Sequence, residues 1–534
     1  MGNQSITVWL LLCLKTAFQN SFTFSVLLKF VSFLKSILIK LKCVFEDSLI
    51  YSLTVRFASF LQRELKSGYI YSYVMSDKGL HNAYKDSVFY KIIDVGFGWI
   101  LQILSYICKI FAKLAKDGII HKSAKKLCSF KYVNFDCLFA AYTVLMMILP
   151  HELWNNIYAV AAAFAFCAVY VLKAASERTK KPNVYSMPLS LIVFVISVIG
   201  AVLISPAFFD SLRIALFFVS SVLFAVIIRT NIRNENSLKF FVSSLITGLF
   251  VMSLYAVYQK IVGVEVDPLL TDVNTNAGMP GRVFSTVGNP NNFAEIIVMI
   301  VPFIYGMIIC GDSSKKKCLY AIALVLSLGA LAMSYSRSGY VAFAIATVVF
   351  AVMYNWKLLI PIAAIGIISI PFIPETIMNR IFTIGSLQDT SNAYRIFLWE
   401  GASELIKDYF LSGIGIGSEA FLKVYPDYAH FFAAKAPHSH MLYMELLIEL
   451  GVIGISSFLI YMFSTLRKGF AVLNKSDKFM KCMTAASISA FCGISFTACV
   501  EYIWFYPRVM FVFWMVAGIL MCSVRLSENK TDKK

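Results

Sequence analysis

Four stretches of the chain concentrate side chains that could do chemistry, and arginine and histidine dominate them. The first is Gly281-Arg282-Val283-Phe284-Ser285-Thr286-Val287-Gly288-Asn289-Pro290-Asn291-Asn292. Asn289 suits a helix cap and Pro290 the first helical position, so ordinary capping explains Asn-Pro but not Arg282. The second, Ser334-Tyr335-Ser336-Arg337-Ser338-Gly339, reads as a tight turn between two apolar runs. An arginine there must be kept out of lipid, where it would cost about 2 to 3 kcal/mol at the bilayer centre. It either snorkels to headgroups or holds an anion. In the third, Asn392 to Ile406 has a helical apolar pattern at Ile396, Trp399 and Ile406, followed by Gly413, Gly415 and Gly417. Arg395 on that helix is either a surface residue paired with Glu400 or Asp389, or an anion ligand. The glycines read as the turn that ends the helix, and their spacing excludes a dinucleotide fold. The fourth, Pro437-His438-Ser439-His440-Met441-Leu442-Tyr443, opens a long apolar run that also carries Glu445, Glu449 and Gly451. His430, His438 and His440 invite a metal reading. On a helix, however, positions i and i+2 point about 200° apart, so His438 and His440 would not share one ion.

Guanidinium groups suit bidentate phosphate binding, and an imidazole suits proton transfer near neutral pH. Together at a membrane boundary they fit a lipid-linked diphosphate whose tail lies in the bilayer. The expected reaction is attack of an acceptor hydroxyl on the anomeric carbon of a sugar carried by that diphosphate. The arginines would neutralise the departing diphosphate and a histidine would accept or orient the acceptor proton. The nearest approach to an Asp-x-Asp metal motif is Glu265-Val266-Asp267. The expectation is therefore a metal-independent, inverting transfer that needs no cofactor.

These residues must be positioned by membrane helices. Of 534 residues, 59% are hydrophobic and 15% charged, against roughly 25% charged in a soluble domain, and the mean hydropathy is +0.73. Disorder, collagen, coiled coil and a disulfide scaffold are excluded. The fold class expected is an all-α polytopic membrane protein with about 12 transmembrane helices, near 134–150, 155–172, 187–205, 212–228, 240–258, 292–310, 318–334, 339–354, 358–374, 441–466, 482–500 and 504–524. A large extracytoplasmic loop, 375–437, separates the ninth and tenth. With residue 130 inside, the basic clusters Lys125-Lys126, Lys180-Lys181, Arg229 with Arg233, Lys315-Lys316-Lys317, Arg467-Lys468 and Lys533-Lys534 all fall on the cytoplasmic side. The outer segments are poorer in Lys and Arg although they include the longest loops. The net charge of +18 thus follows the membrane and is no nucleic-acid footprint.

Residues 1–130 differ: Lys29, Lys35, Lys40, Lys91, Lys109 and Lys113 interrupt apolar sequence, as in amphipathic helices lying on an anionic inner leaflet. They form an expected cytoplasmic or membrane-surface region ahead of a transmembrane catalytic domain, 131–525, and a tail, 526–534. No cleaved signal peptide is expected, because Lys15 follows the first apolar stretch without a cleavage site. The twelve cysteines contain no Cys-x-x-Cys and read as apolar packers. The spans are almost free of ionisable groups, with Glu295, Glu445 and Glu449 near outer ends, which argues against an ion-driven carrier. The single long loop has no counterpart earlier in the chain, which argues against a repeat-built transporter.

The ordered set Gly288-Asn289-Pro290-Asn291, Ser336-Arg337-Ser338-Gly339, Arg395 with Trp399, Gly413-Ile414-Gly415-Ile416-Gly417, and His440-x-x-Tyr443 with Glu449-Leu450-Gly451 resembles the bacterial O-antigen ligase and O-antigen polymerase superfamily over roughly 240–465. The resemblance implies a GT-C-like glycosyltransferase in the bacterial cytoplasmic (inner) membrane, with both termini cytoplasmic. Its donor would be an undecaprenyl-diphosphate-linked glycan and its acceptor a glycan, lipid or protein. It implies roles for Arg337 and Arg395 at the diphosphate and for His440 as base or acceptor-orienting group, with Arg282, His438 and Tyr443 at the substrate. Met441 departs from the family, where Asn commonly follows this histidine, and the basic N-terminal region is extra, a possible contact for other polysaccharide-assembly proteins. Ligase and polymerase members share these motifs. A flippase or exporter of the same lipid-linked glycans is the alternative.

Overall fold

The computed structural model describes residues 135–176, 187–265, 281–384 and 390–531, together with helical positions at 99, 102–103, 106–107 and 110. The rest of the basic region 1–130, and with it Asp267, Asp389 and the last residues of the tail, lies outside the described residues. Among the described residues there are helices and turns but no strand. The helices are α1 (Phe135–Ile148), α2 (Ile157–Ser176), α3 (Leu189–Ile204), α4 (Phe208–Asn231), α5 (Glu235–Val262), α6 (Pro290–Cys310), α7 (Ser314–Ser334) and α8 (Arg337–Asn355). They continue with α9 (Leu359–Ser369), α10 (Glu375–Phe382), α11 (Thr390–Tyr409), α12 (Ser418–Val424), α13 (Leu442–Leu473), α14 (Lys478–Ala498) and α15 (Pro507–Thr531). Residues 357–370, which include α9, fall outside the compact unit that holds the other described helices.

Among the described residues eight stretches are long and apolar enough to cross a membrane: 208–231, 235–262, 290–310, 314–334, 337–372, 442–473, 478–498 and 507–529. The protein is thus a multi-pass chain, helical throughout its described secondary structure. The spans expected at 339–354 and 358–374 fall within the single apolar stretch Arg337–Phe372, and α1, α3 and residues 157–171 of α2 are shorter apolar helices. At the centre stands α15, with 94% of its apolar window buried, and α4, α13 and α14 pack against it. Trp504 and Phe458, with ring centroids 5.1 Å apart, and Trp514 stacked on Tyr461 at 5.5 Å fill the space between them. Hydroxyls inside this core bond back along their own helices, as Ser253 to the Leu249 carbonyl at 2.8 Å and Ser487 to Met483 at 2.9 Å. Hydrocarbon offers them no other partner.

The helix ends that carry the four motifs obey capping rules. The Asn289 side chain accepts from the Asn291 and Asn292 amides, and Pro290 takes the first position of α6. Ser336 caps α8 by accepting from the Gly339 amide. The expected loop helix is α11, and Gly413, at φ +69°, returns its amide to the Tyr409 carbonyl at 2.8 Å. The loop builds a small core of its own from Leu398, Leu405, Phe421 and Tyr425, closed by Ile448 of α13.

One long helix is not continuous. Gly451 has φ +66° and breaks α13. The Gly413 region lies against the break, where the Ile414 amide donates to Ile448 at 2.8 Å and the Val452 amide to Phe410 at 2.9 Å. Gly417 donates its amide to the buried Glu449 carboxylate at 2.8 Å. The break brings Leu442 and Phe458 onto one apolar groove; sixteen residues of unbroken helix would set them about 24 Å apart. A Cβ on Gly451 would meet the Leu411 carbonyl oxygen at 2.3 Å, whereas one on Gly329 meets nothing within 4 Å. Gly451→Ala is therefore expected to cost more than the roughly 1 to 2 kcal/mol of a left-handed alanine. Gly329→Ala is expected to be neutral or stabilising. Thermal unfolding of both variants in nanodiscs measures the difference.

Candidate functional site

Arg282, Arg337, Arg395 and His440 lie on separate parts of the chain, yet all stand at the same end of the bundle. That end is formed by the start of α6, the α7–α8 turn, α11, the start of α13 and the α14–α15 turn. What joins Arg395, His440 and, through Asn291, Arg282 is a residue the sequence reading did not single out, Glu501, in the turn between α14 and α15. Its Oε1 accepts from the Arg395 guanidinium at 2.6 Å and from Asn291 Nδ2 at 3.2 Å. Its Oε2 faces His440 Nδ1 at 3.5 Å, and its backbone carbonyl accepts the Leu442 amide at 3.2 Å. Burial opposes ionisation of this carboxyl, but Arg395 and then His440 outweigh it and hold the group down at about 2. Glu501 is therefore a carboxylate, able only to accept.

Asn291 extends the network. Its Oδ1 accepts from Arg282 Nη2 at 2.6 Å and from Ser336 Oγ at 3.0 Å. Arg282, 7% exposed, also donates through Nε to the Ser334 carbonyl at 2.9 Å. Burial and the neighbouring Arg380 pull its guanidinium down to about 9, while Glu501 pulls the other way. Arg380, buried on α10, donates to the Tyr335 carbonyl at 3.2 Å, and Arg337 donates to the Thr383 carbonyl at 3.1 Å. Arginines 282, 337 and 380 thus hold the α7–α8 turn and the end of α10 together, with like charges close by. Arg395 keeps a buried Nε without a hydrogen-bond partner, a donor that an anionic oxygen would satisfy.

The expected partners of Arg395 need correction. Its carboxylate is Glu501, 106 positions along the chain, while Glu400 takes His430 at 3.0 Å and Asp389 lies outside the described residues. The helical argument against a shared ion at His438 and His440 also falls away. These residues precede α13, His440 in left-handed backbone, and their rings lie 4.3 Å apart. Among the described residues no group of three or more His, Cys, Asp or Glu is placed to hold a metal.

His438 is buried rather than turned to a substrate. Its ring packs 4.3 Å from Phe505, and its Nδ1 accepts the His440 amide at 3.1 Å. Burial, and next the adjacent His440, push it down to about 3, so it is neutral at working pH and supports the His440 backbone. Tyr443 faces away from the arginines. It reaches Ser495 at 3.5 Å and lines an apolar groove with Leu442, Phe458, Met462, Ile494 and Ile503. The Trp399 indole donates to the Ser439 carbonyl at 2.9 Å, and the Ser439 amide donates to Glu445 at 2.6 Å. His440 is thereby fixed from both sides, at φ +53°.

Residues 285, 335 and 440 are the described non-glycine positions with positive φ, and each adjoins one of the four motifs. Such backbone costs of order 1 to 2 kcal/mol per residue and persists where its surroundings impose it. Glu501 could have been found by the argument that singled out Arg337: an acid in a short turn between two spans is as costly to keep near lipid as a base.

A carboxyl depressed from 4.5 to about 2 contributes stability that is complete above about 4.5 and lost as pH falls through 2. Glu501→Gln strands Arg395 and is expected to cost roughly 3 kcal/mol. Unfolding in nanodiscs as a function of pH should show a constant deficit from pH 5 to 8 that shrinks in acid.

No curated protein matches the chain. Residues 322–459 match the family model described as O-antigen ligase. The match takes in Arg337, Arg395 and His440 and leaves Arg282, Asn291 and Glu501 outside. Over this segment the chain is similar to the O-antigen ligase family, which supports the resemblance to the O-antigen ligase and polymerase superfamily.

Proposed function

We propose that the protein is a membrane glycosyltransferase that moves a glycan from a polyprenyl-diphosphate donor, undecaprenyl diphosphate in bacteria, to an acceptor hydroxyl at the extracytoplasmic face. The observation that carries this reading is the assembly of Arg282, Arg395 and His440 about Asn291 and Glu501, with Arg337 near enough to Arg282 to act on its charge and an apolar groove that begins at Leu442. The groove suits the isoprenoid chain, and the arginines suit the diphosphate at its head.

Glu501, as an acceptor, favours a proton on His440 Nδ1, which leaves the Nε2 lone pair for the acceptor hydroxyl. The hydroxyl proton passes to Nε2 as its oxygen attacks the anomeric carbon from the face opposite the diphosphate. The anomeric carbon–oxygen bond breaks, its electron pair leaves with the diphosphate, and the configuration inverts. Guanidinium groups neutralise the leaving charge, the task a divalent ion would otherwise perform, and the reaction is read as metal-independent.

The same reading takes the chain as about twelve spans in a GT-C-like arrangement in the inner membrane. The lysines at the end of the bundle opposite the site, such as Lys316, Lys478 and Lys481, would be cytoplasmic, as would both termini. Residues 1–130 would lie on the inner membrane surface, where they could meet other assembly proteins. Polymerase and ligase differ only in whether the acceptor is a second lipid-linked glycan or another lipid or protein.

Arg337→Ala, Arg395→Ala and His440→Ala are each expected to lower transfer at least about 100-fold, the scale of losing one transition-state electrostatic contact, with the protein still in the membrane. The assay is purified protein in nanodiscs with polyprenyl-diphosphate oligosaccharide and candidate acceptors. Undiminished product from all three variants would overturn the proposed site, and lipid translocation without transfer would identify a flippase instead.

A further inference from the structure

We propose that a trail of aromatic rings leading outward from His440 along α11 is a subsite for the sugar residues of the glycan chain, an inference that rests on the transfer reading above. The trail starts at Tyr394, whose ring stands edge-on to the His440 imidazole at 6.2 Å. Phe397, one helical turn on, meets the His430 ring at 5.5 Å. His430 Nε2 pairs with Glu400 at 3.0 Å, and both side chains are about half exposed. Phe431 and Phe432 then end the trail, 90% and 79% exposed with ring centroids 5.8 Å apart. From Tyr394 to Glu400 the helix advances about 9 Å, the reach of a short oligosaccharide.

The two phenyl rings are held outward by a built turn. The Ala433 amide donates to the His430 carbonyl at 2.8 Å, and Ala433 and Ala436 are anchored in the loop's own core. Two large apolar rings presented to solvent by an anchored turn mark a binding surface. A pyranose ring offers an apolar C–H face rimmed by hydroxyls, so it is matched by aromatic faces with hydrogen-bonding groups at their edges. Glu400 and His430 are those groups. The same polar company disfavours burial of this patch in hydrocarbon, where a carboxylate is costly. The continuity with His440 indicates that the sugars held here belong to a reacting chain, either the donor's glycan or the acceptor.

The probe is the soluble oligosaccharide released by mild acid from the lipid-linked glycans of the producing cells. It is added without donor lipid to the full-length protein in nanodiscs, and sugar-ring protons are observed by saturation-transfer NMR. Signals are expected for the unmodified protein and for Phe431→Tyr with Phe432→Tyr, and a roughly tenfold weaker affinity is expected for Phe431→Ala with Phe432→Ala. In the transfer assay the alanine pair should raise one KM, the acceptor's or the donor's according to which chain is held, and leave kcat unchanged. Equal sugar binding by the alanine pair, or no binding by the unmodified protein, overturns the subsite. Quenching of a tryptophan placed by Phe432→Trp on addition of brominated lipid would overturn it in favour of a membrane anchor. Binding without any transfer would count against the transferase reading while leaving the subsite standing.

Discussion

A carboxylate withdrawn from water must be paired, and in this protein Glu501 meets that requirement by tying together segments far apart in the chain. It binds Arg395 from the outer loop and Asn291 from the start of α6, faces His440 ahead of α13, and accepts the Leu442 amide through its own carbonyl. Removing any one partner leaves charge or hydrogen-bonding capacity unmatched in a low-dielectric setting, where the penalty is largest. The geometry of the site is therefore held by electrostatics at a place where helix packing alone would leave the loops free to choose other conformations. The same carboxylate faces the His440 ring at 3.5 Å, so one acidic group meets both the guanidinium and the imidazole.

The scaffold beneath has its own requirement. Backbone that is not helical has to find partners when it enters the apolar bundle. At Gly451 it does so against the Gly413–Gly417 turn, through amide bonds from Ile414 and Val452 and the Gly417 amide on Glu449. The interruption of α13 opens the groove beside Tyr443. The groove's lining runs from Leu442 and Tyr443, before the break, to Phe458 and Leu466, after it. Strain at Ser285, Tyr335 and His440 is concentrated at the same end of the bundle, where caps and hydrogen bonds over-determine the backbone.

The large outer loop is more than a connection. Its core of Leu398, Leu405, Phe421 and Tyr425 lets α11 present two faces: one turns Arg395 to Glu501, the other carries aromatic rings outward from His440. Such a division lets one element both pair with the buried carboxylate and present rings at the surface.

Hydropathy and helix period made the apolar helices legible, along with the Asn289-Pro290 and Ser336 caps, the loop helix at Thr390–Tyr409 and the glycine turn that ends it. Each depends on neighbours only a few residues away, and the free energies involved are local. The arginines and His440 were legible as a set because ionisable groups at a lipid boundary demand a reason. The same local reasoning paired Arg395 with Glu400 or Asp389 and set His438 and His440 on a helix. The partners that decide those side chains are remote in the chain: Glu501 is 106 positions from Arg395, and Phe505, against which His438 packs, lies beyond α14. Composition and periodicity determined that this chain is a helical membrane protein with charged residues gathered where apolar runs end. Only the folded arrangement decided which charges meet, because an ion pair's energy depends on separation in space and burial, and neither is a property of position in the sequence.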